Sequence, residues 1–112
     1  MLIYKILRAP EWEALVREGE TAGAPIDLSD GYIHFSTAGQ VAETLEKHFA
    51  GVEGLVIAAC DTDDLGGDLK WEPSRGGALF PHLYRRLSLN EVRWHAGLPL
   101  SGGRHALPEA VR

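Results

Sequence analysis

Residues 71–87 read WEPSRGGALFPHLYRRL. An apolar frame of Trp71, Leu79, Phe80, Leu83, Tyr84 and Leu87 surrounds Glu72, Arg75 and His82, while two glycines and two prolines interrupt the run. Such a stretch does not sustain a regular helix, and it reads as a Gly/Pro-rich loop set among strands. Ahead of it lie two helical patterns; behind it lie only strands. The order is β-α-β-α-β-β, the loop, then more β, which points to an α+β fold rather than a doubly wound parallel sheet.

Working outward, LKW (69–71) opens a strand, and GLVIAAC (54–60) is a continuous apolar run bounded by turn signals, hence a central strand. STAGQVAETLEKHFAG (36–51) repeats Val41, Leu45 and Phe49 every four residues. With Ser36 or Thr37 as cap and Gly51 as stop, it predicts a helix over 37–50. YIHFS (32–36) is a short strand, whereas TAGAPIDLSDG (21–31) carries the glycines, proline and aspartates of a loop. Pro10 and Gly19 bracket a helix over 9–19, with Trp12, Leu15 and Val16 on one face. LIYKIL (2–7) is an opening strand. Beyond the loop, NEVRWHAGL (90–98) puts Val92, Trp94 and Ala96 on one strand face, and RHAL (104–107) is a last short strand.

The 112 residues fit one domain, 1–112, and 45% hydrophobic content gives it a core. A net charge of −5 argues against a nucleic-acid binder that relies on backbone phosphates, and the Arg85-Arg86 pair reads as solvated surface. The lone Cys60 excludes an internal disulfide and reads as an inert core thiol. MLIYKIL is too short for a signal sequence, and no run of 18 apolar residues is present, so the expectation is a soluble cytoplasmic domain without a membrane partner.

Chemistry gathers around histidine. Alternation in GYIHFST puts Tyr32, His34 and Ser36 on one face, with Ile33 and Phe35 on the other. A phenol, an imidazole and a hydroxyl in one row suit a polyhydroxyl ligand; a solvated face or a carbonyl-bonded core histidine is the structural alternative. Pro81 stiffens the chain that presents His82, and alternation sets Phe80, His82 and Tyr84 opposite Leu83. Glu72 adds a carboxylate, and Ser74-Arg75-Gly76-Gly77 offers free amides and a cation for a phosphate or carboxylate. The alternatives are an exposed loop charge for Arg75 and a purely structural ion pair for Glu72. His48, His95 and His105 look plainer. Metal spacing of the HxxxH, HxH or CxxC kind is absent, as are GxGxxG, P-loop and GxSxG motifs. On this reading 71–87 is one wall of a pocket, anchored by Trp71 and Leu83, and Tyr32, His34 and Ser36 form the other. His34, Glu72 and His82 are expected to converge as the catalytic group.

The chain resembles a bacterial family known as domain of unknown function 952. The likeness rests on IYKI (3–6), PEW (10–12), DLSDGYIHFSTAGQV (27–41), LVIAAC (55–60) and LKWEPSRGGALFPHLY (69–84). The resemblance implies an α+β, ADP-ribosylation-like split antiparallel β-structure with two helices packed at its side. It also implies NAD or an ADP-ribose-like nucleotide as ligand, with ADP-ribosyl or related glycosidic transfer as the reaction. Such chemistry passes through an oxocarbenium-like transition state that needs a nearby carboxylate. By resemblance Glu72 is that carboxylate. Lys5 stands where ADP-ribosyltransferases carry Arg or His, Ser36 or Tyr32 supplies the polar strand group, and Tyr84 or Phe80 stacks on the leaving ring. LYRRL (83–87) departs from the LYGPL associated with the family. Two other readings stay open: a non-catalytic module binding a small polar ligand or nucleotide, and a divalent-metal site on His34, Glu72 and His82.

Overall fold

A computed structural model describes residues 1–111; the side chain of Arg75 lies outside the described residues. The chain runs β1 (Leu2–Leu7), α1 (Ala9–Glu18), β2 (Glu20–Thr21), α2 (Pro25–Asp30), β3 (Ile33–His34), α3 (Val41–His48) and β4 (Leu55–Asp61). It continues through α4 (Thr62–Leu65), β5 (Leu69–Ser74), β6 (Ala78–Leu83), β7 (Leu87–Ser88), β8 (Val92–Leu98), β9 (Leu100–Ser101) and β10 (Arg104–His105). The architecture is α+β, and every strand pairing is antiparallel.

Two three-stranded sheets carry the fold, in the orders β1-β4-β8 and β3-β6-β5. The apolar run of β4 takes the centre of the first sheet because both of its faces are covered. On one face Tyr4, Ile6, Leu55, Ile57 and Ala59 pack with Val41 and Leu45 of α3. On the other, Ile3 and Cys60 meet Ile33 and Leu83 of the second sheet and Phe35 just past β3, and Leu7 and Ala58 meet Leu15 of α1. Burial pushes the Cys60 thiol up to about 12, which keeps it protonated. The two sheets join where Tyr4 and Ser36 exchange both backbone hydrogen bonds at 2.8 Å. Among the described residues no helix is long and apolar enough to cross a membrane.

Several expectations need correction. The presumed loop 21–31 contains α2, which starts on Pro25 and ends at Asp30. The second helix starts at Val41 behind Gln40, so neither Ser36 nor Thr37 caps it, and Phe49 lies just past its last residue. The expected loop at 71–87 is mostly a hairpin: β5 extends to Ser74, and a tight turn at Arg75–Gly77 leads into β6. Positive φ at Gly76 (70°) and Gly77 (86°) makes that turn. Trp71, expected as an anchor, is 39% exposed and belongs to none of the core clusters, although it lies only two residues along β5 from the Leu69–Leu83 pair. Val16 is half exposed. Val92 does not share a face with Trp94 and Ala96: a bulge opposite Ala59/Cys60 turns it to the other side of the sheet, toward Leu7 and Leu15.

Candidate functional site

The site grows from one cross-strand pair. His34 on β3 stands directly opposite His82 on β6, so both rings leave the same sheet face, 5.3 Å apart and edge to face. The pairing of Ile33 with Leu83 beside them is buried in the core and pins this register. Tyr32 stacks on the His82 ring at 4.1 Å and lies 4.6 Å from His34 and 5.1 Å from Tyr84.

Each histidine is held by carboxylates. Glu72, on the neighbouring β5, accepts from His82 Nδ1 at 2.8 Å and from the Tyr84 hydroxyl at 2.7 Å. Those bonds, the Tyr84 one first, hold the Glu72 carboxyl below its ordinary value, and the same contact pushes the Tyr84 phenol up to about 12. The other ring nitrogen of His82, Nε2, is buried and has no hydrogen-bond partner among the described residues. His34 Nδ1 contacts Asp27, and its Nε2 lies 2.9 Å from Asp30.

Asp27 ties the site to the first sheet. It is buried, and its two oxygens receive Lys5 Nζ and the Ala24 N–H at 2.7 Å and the His34 N–H at 3.0 Å. Burial works to raise this carboxyl, but the hydrogen bond from His34 and the charge of Lys5 outweigh it and hold it at about 2. Gly23 makes room: a Cβ there would sit 2.4 Å from Asp27 Oδ2.

These groups border a cleft of about 660 Å³ between the two sheets and α3. Lys5, Ser36, His34 and His82 line it, with Phe80 and Phe49 as aromatic wall. The Ser36 hydroxyl is 2.8 Å from that of Thr44 on α3. Of the residues expected to form the site, His34, Glu72, His82, Tyr32 and Tyr84 are brought together, and Lys5 reaches them through Asp27. Glu72, Tyr84 and Tyr32 do not line the cleft as expected. Glu72 and Tyr84 sit behind His82 rather than on the cleft wall, because the Glu72 carboxylate is turned onto the His82 ring. Arg75 was expected to line the cleft; its side chain lies outside the described residues.

Sequence reasoning missed Asp27, Asp30, Arg8 and Thr44, and it passed over His48, which also lines the cleft. Pro25 followed by an acid two residues later is a helix-start signature that would have singled out Asp27. Arg85 lies at the surface beside the exposed Arg86, as expected, and forks onto both Glu91 oxygens at 2.9 and 2.7 Å. Among the described residues no three His, Cys, Asp or Glu side chains are placed to hold a metal ion. His34, Glu72 and His82 form hydrogen-bonded pairs rather than a ligand set.

No protein with a curated description matches the chain. Solved structures do. The crystal structure of protein CC0527 from Caulobacter crescentus is 47% identical, with 99% of this chain and 98% of that one covered and a TM-score of 0.94. The solution NMR structure of the same protein is 49% identical, covering 93% and 90% with a TM-score of 0.83. A family profile described as a protein of unknown function, DUF952, matches residues 6–95, and the chain belongs to that family.

Proposed function

We propose that the cleft binds a small polar ligand of nucleotide size and that His82 moves a proton on it. One observation carries this reading: Nε2 of His82 is buried and has no partner among the described residues, on a ring that lines the cleft. Leaving such an atom unsatisfied costs on the order of 1–3 kcal/mol, and a ligand group in the cleft removes that cost. With Nδ1–H donated to Glu72, the neutral ring keeps its lone pair on Nε2. Glu72 is then a positioning residue acting through His82, in the manner of the acid that orients a catalytic histidine.

The cleft volume lies within the range of small-molecule sites. NAD or an ADP-ribose-like nucleotide is the ligand that the family resemblance supplies, with Lys5 and Ser36 at the cleft and Tyr32 and Tyr84 packed around His82. In the ADP-ribosyl or glycosidic version, Glu72 reaches an oxocarbenium ion only by releasing His82, so His82 is the group that meets the ligand.

Thermal melting with NAD, ADP-ribose and nicotinamide tests this. A ligand at 100 times its dissociation constant stabilises by about 2.7 kcal/mol, several degrees for a domain near this size. NAD or ADP-ribose is expected to raise the melting point, and His82→Gln to keep binding while losing any turnover. Flat curves up to millimolar ligand overturn the nucleotide reading. Binding with no turnover by the native protein makes this a binding module.

A further inference from the structure

The charges around the cleft are already matched. Lys5 Nζ sits on the Asp27 carboxylate at 2.7 Å. The Arg8 guanidinium lies 3.8 Å from Glu11 and 4.8 Å above the Phe49 ring. Glu11 and Asp30 line the same cleft as Lys5 and Arg8. With the histidines neutral, the described residues therefore leave no excess positive charge there to draw in a phosphate.

Much of the remaining wall is apolar. Ile6, Phe35, Phe49 and Phe80 line the cleft, and Ile6, Phe35 and Phe80 also belong to the buried core, so this surface is ready-made. A flat aromatic ring packs well on such a wall. His82 adds one polar requirement. Glu72 is held below its ordinary value, hence ionised, and it accepts the proton of Nδ1, which leaves Nε2 an acceptor. An ionised phosphate or carboxylate oxygen also only accepts, so it would set lone pair against lone pair. An N–H or O–H is what satisfies Nε2.

We propose that the cleft takes the uncharged base of a nucleoside, laid on the phenylalanine wall with an N–H given to His82 Nε2. Any phosphate on the ligand stays outside. Nucleobases unite the two properties required, a flat face that stacks on aromatic side chains and an edge that carries N–H donors. This rests on the small-ligand reading of the cleft and narrows it: in NAD or ADP-ribose, the base is the part that enters.

Titration calorimetry of the native protein with adenosine, inosine and uridine, each against its 5′-monophosphate, tests this. At least one nucleoside is expected to bind, with its monophosphate no more than about fivefold tighter, the reach of one exposed ion pair. A larger gain from the phosphate overturns the proposal, as does binding of NAD or ADP-ribose without binding of any nucleoside. Both of those results leave the small-ligand reading standing, whereas no binding by any of these compounds sinks both. His82→Gln keeps an acceptor and should hold the nucleoside nearly as well. His82→Phe keeps only a ring and should weaken it by about tenfold or more. A Phe variant that binds as tightly as the Gln variant overturns the proposal. If either variant fails to fold, or both lose binding alike, nitrogen-15 NMR of the native protein decides. The bare Nε2 signal should move upfield as nucleoside is added, and a signal that stays still while nucleoside binds overturns the contact.

Discussion

Asp27 grips His34 twice, accepting its backbone N–H and its ring Nδ1 on one carboxylate oxygen, while the second oxygen takes Lys5 and Ala24. A side chain 1% exposed thus ties β1, α2 and β3 together. Asp27→Asn leaves the buried Lys5 ammonium without its counter-charge. Removing one partner of a buried pair costs about 3–5 kcal/mol, and urea denaturation should show a loss of that size. The double variant Lys5→Met, Asp27→Leu should recover part of it.

Acid should unfold the protein through the same carboxyl. The folded value of Asp27, about 2, lies below its ordinary 3.8. Its contribution is therefore complete above about pH 4 and is lost as pH falls through about 2. Stability measured by denaturant should decline by about 2 kcal/mol across that window because of this group, and Asp27→Asn should flatten that part of the slope.

Phenol titration reports on the Glu72 contact. Tyr84 is held at about 12 chiefly by its hydrogen bond to Glu72. Glu72→Gln removes the negative charge and should bring that phenol back toward 10.0, seen as earlier phenolate absorbance. The fold should be little changed, since Glu72 sits on an edge strand and is partly exposed.

Gly23→Ala tests whether the space beside Asp27 matters. The residue has φ of +105°, and the added carbon would meet the Asp27 side chain at 2.4 Å. Backbone strain of about 1–3 kcal/mol adds to the displacement of Asp27. The expected result is a lower melting point together with a shifted His34 ring signal in NMR. A change in melting alone would mean that Asp27 does not move.

Alternation alone located the sheet face that His34 and His82 share. It put His34 on the face opposite Ile33, and His82 opposite Leu83, and the cross-strand pairing of those residues follows that pattern. Period two says which residues share a face, but not how far the core extends along it. Trp71 shares the face of Leu83 and still lies at the surface. The bulge that turns Val92 over leaves no trace in the local pattern, because it is set by pairing with β4, far away in sequence. PIDLSD, at six residues, is too short for a helical period to show, so Asp27 read as a turn residue although its role is to bind a distant lysine. Long-range polar contacts of this kind have no period at all.

The Tyr4–Ser36 backbone pair is the stitch between two sheets that otherwise meet through side chains. Tyr4 and Lys5 border the cleft from one sheet, and Ser36 and His82 from the side of the other. Any opening of the cleft must strain or break two amide hydrogen bonds, those donated by Tyr4 and Ser36. Their hydrogen–deuterium exchange therefore works as a gauge of breathing between the sheets, read without knowledge of any ligand. A molecule that bridges the cleft slows both amides together, whereas one that rests on a single wall leaves them unequal.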